Sequence, residues 1–203
     1  MSAPNEFTRG WNILEQLTTQ SLHLGCQARN KAEVLQMVGA EFKRKGYVDR
    51  DCVHFLTERE QQISTFLGNG ITLPHLPKSA NDIILHSGVE IFQFPDGVIW
   101  DRTNVMFIAI GVIAKSKEHI DVLREIALIF SDEFIANALS LTSSQEEFLS
   151  ILHRYFLVLK REWDLCQIPY SINFIFSYSI SFYSIFITTL LFFLSLNLIF
   201  IFL

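Results

Sequence analysis

The amino-acid sequence predicts an α/β fold: a mixed β-sheet covered by helices on both faces and followed by an apolar C-terminal tail. Three observations carry this expectation. Helical periodicity that runs to about Glu58-Arg59-Glu60 gives way to β-type runs and then returns from His119 onward. Residues 105–112 form a continuous apolar run, as expected of a strand buried on both faces. The last charged residue is Asp164, so the final 39 residues, 165–203, carry no charge.

A first helix opens at Asn30, an N-cap followed three residues later by Glu33. Val34, Leu35, Val38 and Phe42 then share one face up to a stopping Gly46. A second helix follows, capped by Asp49, with Val53, Phe55 and Leu56 inward and Glu58, Arg59 and Glu60 near its end. Strands are expected at 64–67, 71–73, 83–94 and 105–112, the third bounded by the turn tripeptide Pro95-Asp96-Gly97. A helix over 119–130 carries Ile120, Leu123, Ile126, Ala127 and Phe130 on one stripe. The last helix opens at Ser143-Ser144-Gln145-Glu146-Glu147, where either serine can form a capping box. No internal repeat is present, and the organisation reads as a globular domain over 1–152, a linker over 153–169 and a tail over 170–203.

Composition excludes several classes of function. Half of the 203 residues are hydrophobic and 18 % are charged, which excludes a disordered chain. Twenty-one acidic against 16 basic residues, with no basic run, leave no footprint for nucleic acid. Cys26, Cys52 and Cys166 form no CxxC pair and no disulfide framework, so a reducing cytoplasm is expected. The first residues lack the apolar core of a secretory signal. HExxH, GxxxxGK[ST], GxSxG and GxGxxG are absent, and neither a metal nor an organic cofactor is expected.

The tail has two readings. Its length suffices for a membrane span, with Arg154, Lys160 and Arg161 holding the preceding domain on the cytoplasmic side of an inner membrane. Yet residues 170–203 use only Phe, Ile, Leu, Tyr, Ser, Thr and Asn, the alphabet that thymine- and adenine-rich codons encode in an arbitrary frame. Either a membrane contact through 170–203 or an out-of-frame terminus accounts for it.

Among six histidines, His23, His54, His86 and His153 sit within helix or strand patterns and read as structural or solvent-facing. His75 differs: it follows a Gly-Asn-Gly turn and a short strand, with Pro74 fixing the backbone before it. A histidine so held at the rim of a sheet suits a nucleophile, and it equally suits a structural loop residue. His119 opens a helix just beyond the buried strand, where the helix dipole favours an anion, or it simply occupies a first turn. Arg59 can match a phosphoryl group or be solvated between Glu58 and Glu60.

Taken together these residues become specific. The run from Thr57 to His75, TEREQQISTFLGNGITLPH, resembles the signature of the enzyme IIA domain, mannitol/fructose type, of the bacterial phosphoenolpyruvate-dependent sugar phosphotransferase system. The blocks VEIFQFPDGVIW, VMFIAIGVIA, Glu118 to Leu123 and Ser143 to Leu152 resemble later parts of that family in the same order, and the similarity covers about residues 10–152. The resemblance implies a phosphocarrier in which His75 accepts a phosphoryl group from the phosphocarrier protein HPr. That group then passes to a cysteine of enzyme IIB in a sugar permease, IIB/IIC. It further implies that His119 stabilises the phosphoryl group and that Arg59 offsets its charge, with no cofactor. A phosphorylation-state regulator of the nitrogen-type branch, or a decayed frameshifted copy, is the alternative. Two departures stand out: Leu76-Pro77 replaces the family's glycine after the histidine, and the tail has no counterpart.

Overall fold

The computed structural model describes residues 17–115 and 119–166, and of 119–121, 124–125 and 159–166 the backbone alone. In chain order the elements are a 3-10 turn (Thr19–Ser21), β1 (Leu22–His23), α1 (Lys31–Arg44), α2 (Val53–Gln62), β2 (Phe66–Gly68), β3 (Ile71–Thr72), a second 3-10 turn (Lys78–Ile83), β4 (Gly88–Ile99), β5 (Val105–Ile113), α3 (His119–Phe130), α4 (Glu133–Leu141) and α5 (Gln145–Cys166). The strands form one mixed sheet in the order β1-β4-β5-β3-β2. β4 and β5 are an antiparallel hairpin, β1 adds parallel to β4, and β3 adds parallel to β5 with β2 antiparallel beside it.

The alternation of side chains along β4 and β5 divides the helices between the two faces. Phe92, Phe94, Ala109 and Ile113 pack with Val34, Val38, Phe42 and Leu56 of α1 and α2 in one buried cluster. Gly111 lies on this face because a Cβ there would come within 2.7 Å of Val38 and 2.9 Å of Phe42, so its absence lets α1 approach the sheet. On the other face Gln93 donates from Nε2 to the carbonyls of Leu139, Ser140 and Thr142 at 2.7–3.0 Å, fastening β4 to the joint between α4 and α5. The expected mixed sheet covered by helices is therefore present.

Caps and turns explain most element ends. Asn30 Oδ1 accepts from the Glu33 amide at 3.1 Å, and the Glu33 carboxylate reaches back to the Arg29 amide at 2.8 Å. Ser144 Oγ accepts from the Glu147 amide, so Ser144 is the serine that caps α5. Helix α2 differs from expectation: Asp51, not Asp49, accepts from its first amide, that of Val53, at 2.9 Å. Besides the two 3-10 turns, one strand and one α-helix are additional to those expected from sequence, the two-residue β1 and the nine-residue α4, whose N-cap Asp132 accepts from the amides of Phe134 and Ile135.

The third strand is the largest correction. Positions 83–87 lie outside it, because Lys78–Ile83 is a 3-10 turn, and β4 runs on through Pro95-Asp96-Gly97 to Ile99. The tripeptide makes a bulge instead of a turn: the register passes from Gln93 opposite Ile108 to Val98 opposite Met106. Pro95 has no N–H to give to the ladder, so the extra residues loop out where it stands. At the other end of the domain α5 continues as helix through Cys166, covering positions 153–166 of the stretch expected as a linker. The chain divides into a compact unit ending at Phe156 and a second over 157–203. No helix among the described residues is long and apolar enough to cross a membrane, and the tail over 170–203 lies outside them.

Candidate functional site

His75 owes its position to the strand that precedes it. Gly68, Asn69 and Gly70 have φ of 107°, 50° and 74°, left-handed values that explain two glycines flanking an asparagine at the β2–β3 turn. Past β3 the chain keeps beside β5: the Pro74 carbonyl accepts from the Val112 amide at 2.9 Å, and His75 bridges Val112 in parallel. His75 thus sits by the C-terminal end of β5, 8 % exposed.

Both ring nitrogens are engaged. Nδ1 lies 2.8 Å from the Leu73 carbonyl, and Nε2 lies 3.0 Å from Nε of Arg59. A carbonyl can only accept and a guanidinium can only donate, so Nδ1 carries the proton and Nε2 the lone pair. Arg59 comes from the last turn of α2, where a cation is favoured by the helix dipole, and its Nη1 donates to the Ile63 carbonyl at 2.8 Å. The half-buried guanidinium is thereby aimed at His75 and is not a solvated side chain between two glutamates.

The structure thus brings Arg59 and His75 into direct contact. His119 is the first residue of α3, six positions after Ile113 ends β5, on the connection that leaves the strand at the His75 end. Its side chain lies outside the described residues, as do those of Lys117 and Glu118. Leu76, in place of the family's glycine, is 2 % exposed and packs in the cluster with α1 and α2. Pro77 precedes the second 3-10 turn and accepts from the Ala80 amide at 3.0 Å.

Two other features compete for attention and sit elsewhere. A cleft of about 320 Å³ is lined by Cys26, Ala28, Arg29, Glu33, Phe94 and Gly97 among others. It lies by the β4 bulge, near Met106, six residues along β5 from Val112 and so about 20 Å from His75. His23, Glu41 and Glu90 bring three donor atoms within 4.8 Å of one another. Protein groups already serve them: His23 Nε2 is 2.8 Å from Glu90, Tyr47 Oη donates to Glu90 at 2.8 Å, and Lys45 Nζ stands 3.6 Å away. Burial, helped by the Glu90 carboxylate, pushes the Tyr47 phenol well above its usual range, and the Arg44 guanidinium holds Glu41 below the usual carboxylate range. The cluster joins β1, α1 and β4, in keeping with a structural His23.

Sequence reasoning passed over Glu60. It is 7 % exposed, although it stands between a charged Arg59 and a polar Gln61. Its position four residues after the buried Leu56 was the available signal, since that spacing puts a carboxylate on the inward face of α2.

The model of the family described as phosphoenolpyruvate-dependent sugar phosphotransferase system, EIIA 2, matches residues 15–155. A multiphosphoryl transfer protein of Salmonella typhimurium is 41 % identical over 137 residues, 68 % of this chain but only 36 % of that longer protein. The mannitol-specific phosphotransferase enzyme IIA component of Bacillus subtilis is 33 % identical over 140 residues, 69 % of this chain and 98 % of that one. Among solved structures, IIA mannitol from Escherichia coli superposes with a TM-score of 0.64 at 31 % identity, covering 68 % of this chain and 99 % of that one. A complex of Escherichia coli IIA mannitol with phosphorylated enzyme IIB mannitol matches equally, at 0.64 and 30 %, covering 68 % and 97 %. A sheet-rim histidine gripped by an arginine therefore stands in a chain that, over residues 15–155, belongs to the EIIA type 2 family of the phosphoenolpyruvate-dependent sugar phosphotransferase system.

Proposed function

We propose that the domain is a phosphocarrier of a sugar phosphotransferase system, mannitol-like in its branch, that takes a phosphoryl group from phospho-HPr on His75 and passes it to a cysteine of enzyme IIB. The observation that carries this reading is the Nδ1–H bond to the Leu73 carbonyl, which leaves the lone pair on Nε2 beside a guanidinium. The mannitol-type relatives favour it over a nitrogen-type regulator.

Nε2 attacks the phosphorus in line; the new N–P bond forms as the donor's N–P bond breaks, and the donor imidazole leaves with the electron pair. Nδ1 keeps its proton, so the phosphorylated ring is a cation stabilised by the Leu73 carbonyl. Arg59 exchanges its bond to the Nε2 lone pair for one to a phosphoryl oxygen, a short movement of a group anchored at Ile63. His119 contributes a second donor to the phosphoryl oxygens. In onward transfer the thiolate of enzyme IIB attacks the phosphorus, the S–P bond forms as the N–P bond breaks, and Nε2 of His75 recovers its electron pair. Loose phosphoryl-transfer transition states demand positioning and charge stabilisation above all, and this set of residues supplies both.

Incubation of the full chain with phosphoenolpyruvate, enzyme I and HPr, followed at once by intact-mass measurement, tests the reading. One added phosphoryl group is expected on the parent and none on His75→Ala. Arg59→Ala and His119→Ala are expected to slow transfer by about 10²- to 10³-fold, the loss typical of one donor to a developing anion. Labelling of His75→Ala would overturn the assignment.

A further inference from the structure

We infer that Glu60 is a positioning residue for His75, fixing the groups that hold both nitrogens of its ring; the inference rests on the phosphocarrier reading. Four donors converge on this buried carboxylate. Lys31 Nζ at 2.8 Å and Trp100 Nε1 at 2.9 Å meet Oε1, while the Thr65 amide at 2.9 Å and Thr65 Oγ1 at 2.6 Å meet Oε2. All four only give hydrogen bonds here, so the group that fits among them accepts at both oxygens. The bonds tie α2 to the first residue of α1, to the end of β4 and to the loop ahead of β2.

Two routes lead from Glu60 to the ring. On one, the Thr65 carbonyl accepts from the Leu73 amide at 3.0 Å, and the Leu73 carbonyl accepts from His75 Nδ1 at 2.8 Å. Holding Thr65 by both its amide and its hydroxyl therefore holds the Leu73 peptide that selects the tautomer. On the other, Arg59 precedes Glu60 in the same helical turn and meets Nε2 at 3.0 Å. Anchoring that turn at Trp100 and Lys31 fixes where the guanidinium starts. A buried charge costs far more than an apolar side chain of similar size would, so the fold alone does not call for a glutamate here. The result is a ring held in one tautomer beside Arg59, the kind of support on which a functional histidine depends.

The test uses the ¹⁵N-labelled full chain. The ring nitrogens of His75 report the tautomer by long-range proton–nitrogen NMR, and phosphoryl uptake from phospho-HPr reports the rate. Glu60→Gln is expected to lower the share of the Nδ1–H form and to slow uptake by about 10- to 100-fold, the loss usual when an outer group orienting a histidine is removed. Thr65→Val is expected to act in the same direction and Thr65→Ser to restore the parent values; these two decide the matter should Glu60→Gln fail to fold. An unchanged tautomer in folded Glu60→Gln, or in folded Thr65→Val, would overturn the inference. A parent chain that takes up no phosphoryl group would instead count against the phosphocarrier reading, and the ring measurement would still decide the role of Glu60.

Discussion

At His75 two short bonds do what composition alone could not reveal: they assign the proton to one nitrogen and the lone pair to the other. The sequence made His75 and Arg59 visible through the Gly-Asn-Gly turn, the preceding proline and the family signature. It did not make visible that a guanidinium sixteen residues upstream would touch the ring, because a loop, two short strands and a turn lie between them in the chain. Leu76 is the residue whose environment changes its interpretation. It is buried with α1 and α2, so it serves the core and does not merely stiffen the rim. Leu76→Gly, which restores the family's residue, is expected to lower stability by about 2 to 5 kcal/mol, the cost of emptying a buried leucine site, as read from urea unfolding. A midpoint equal to the parent's would contradict this. Cys52 gives a second residue-level prediction. Burial, with help from the Asp51 charge, pushes its thiol up to about 11, so the thiolate is scarce near neutrality. Native Cys52 is expected to resist iodoacetamide at pH 8 and to react only after unfolding, as peptide mass mapping would show.

Among the elements, those with long and regular patterns were legible and those built from exceptions were not. Helix α3 was expected over 119–130 and is found as His119–Phe130, because its apolar stripe is unbroken. Helix α4 escaped notice because only Ser131 and Asp132 separate it from α3, and exposed Phe134 and Leu141 blur its periodicity. β1 has two residues, too few for an alternation to register. Asp132 deserves an acid-limb experiment. The hydroxyl of Tyr155, then the amides of Ile135 and Phe134, hold its carboxyl below the usual range. A carboxylate with a depressed folded-state pKa adds stability that is complete above its unfolded value of about 4 and disappears as pH falls through the folded value. Asp132→Asn keeps an oxygen for the cap and loses the charge. Its urea midpoint is expected to fall less steeply than the parent's between about pH 5 and pH 2; parallel curves would refute the link.

For the whole molecule, the hairpin of β4 and β5 is the spine, and each face of it is closed by a different set of helices. The fold class followed from the order of periodicities, since helix, strand and helix segments admit few layered arrangements. The order of the strands did not follow, because β1 and β3 join parallel to their neighbours through connections that leave no local mark. The buried positions described on α5 are Phe148, Leu152 and Phe156, and Leu157 and Val158 are exposed. Ending the chain before Phe148 is accordingly expected to abolish cooperative unfolding in urea, because it removes all three buried side chains of α5.

The placement of strand lengths within the sheet has a further bearing, on how crowded copies of the chain behave. The two longest and most apolar strands, β4 with 12 residues and β5 with nine, are neighbours in the interior, while the described edges are β1 with two residues and β2 with three. A growing cross-β assembly needs a long run of unpaired amides and carbonyls as its template, and these margins offer only a few. While it stays folded, the domain keeps its most amyloid-prone segments out of reach of other molecules.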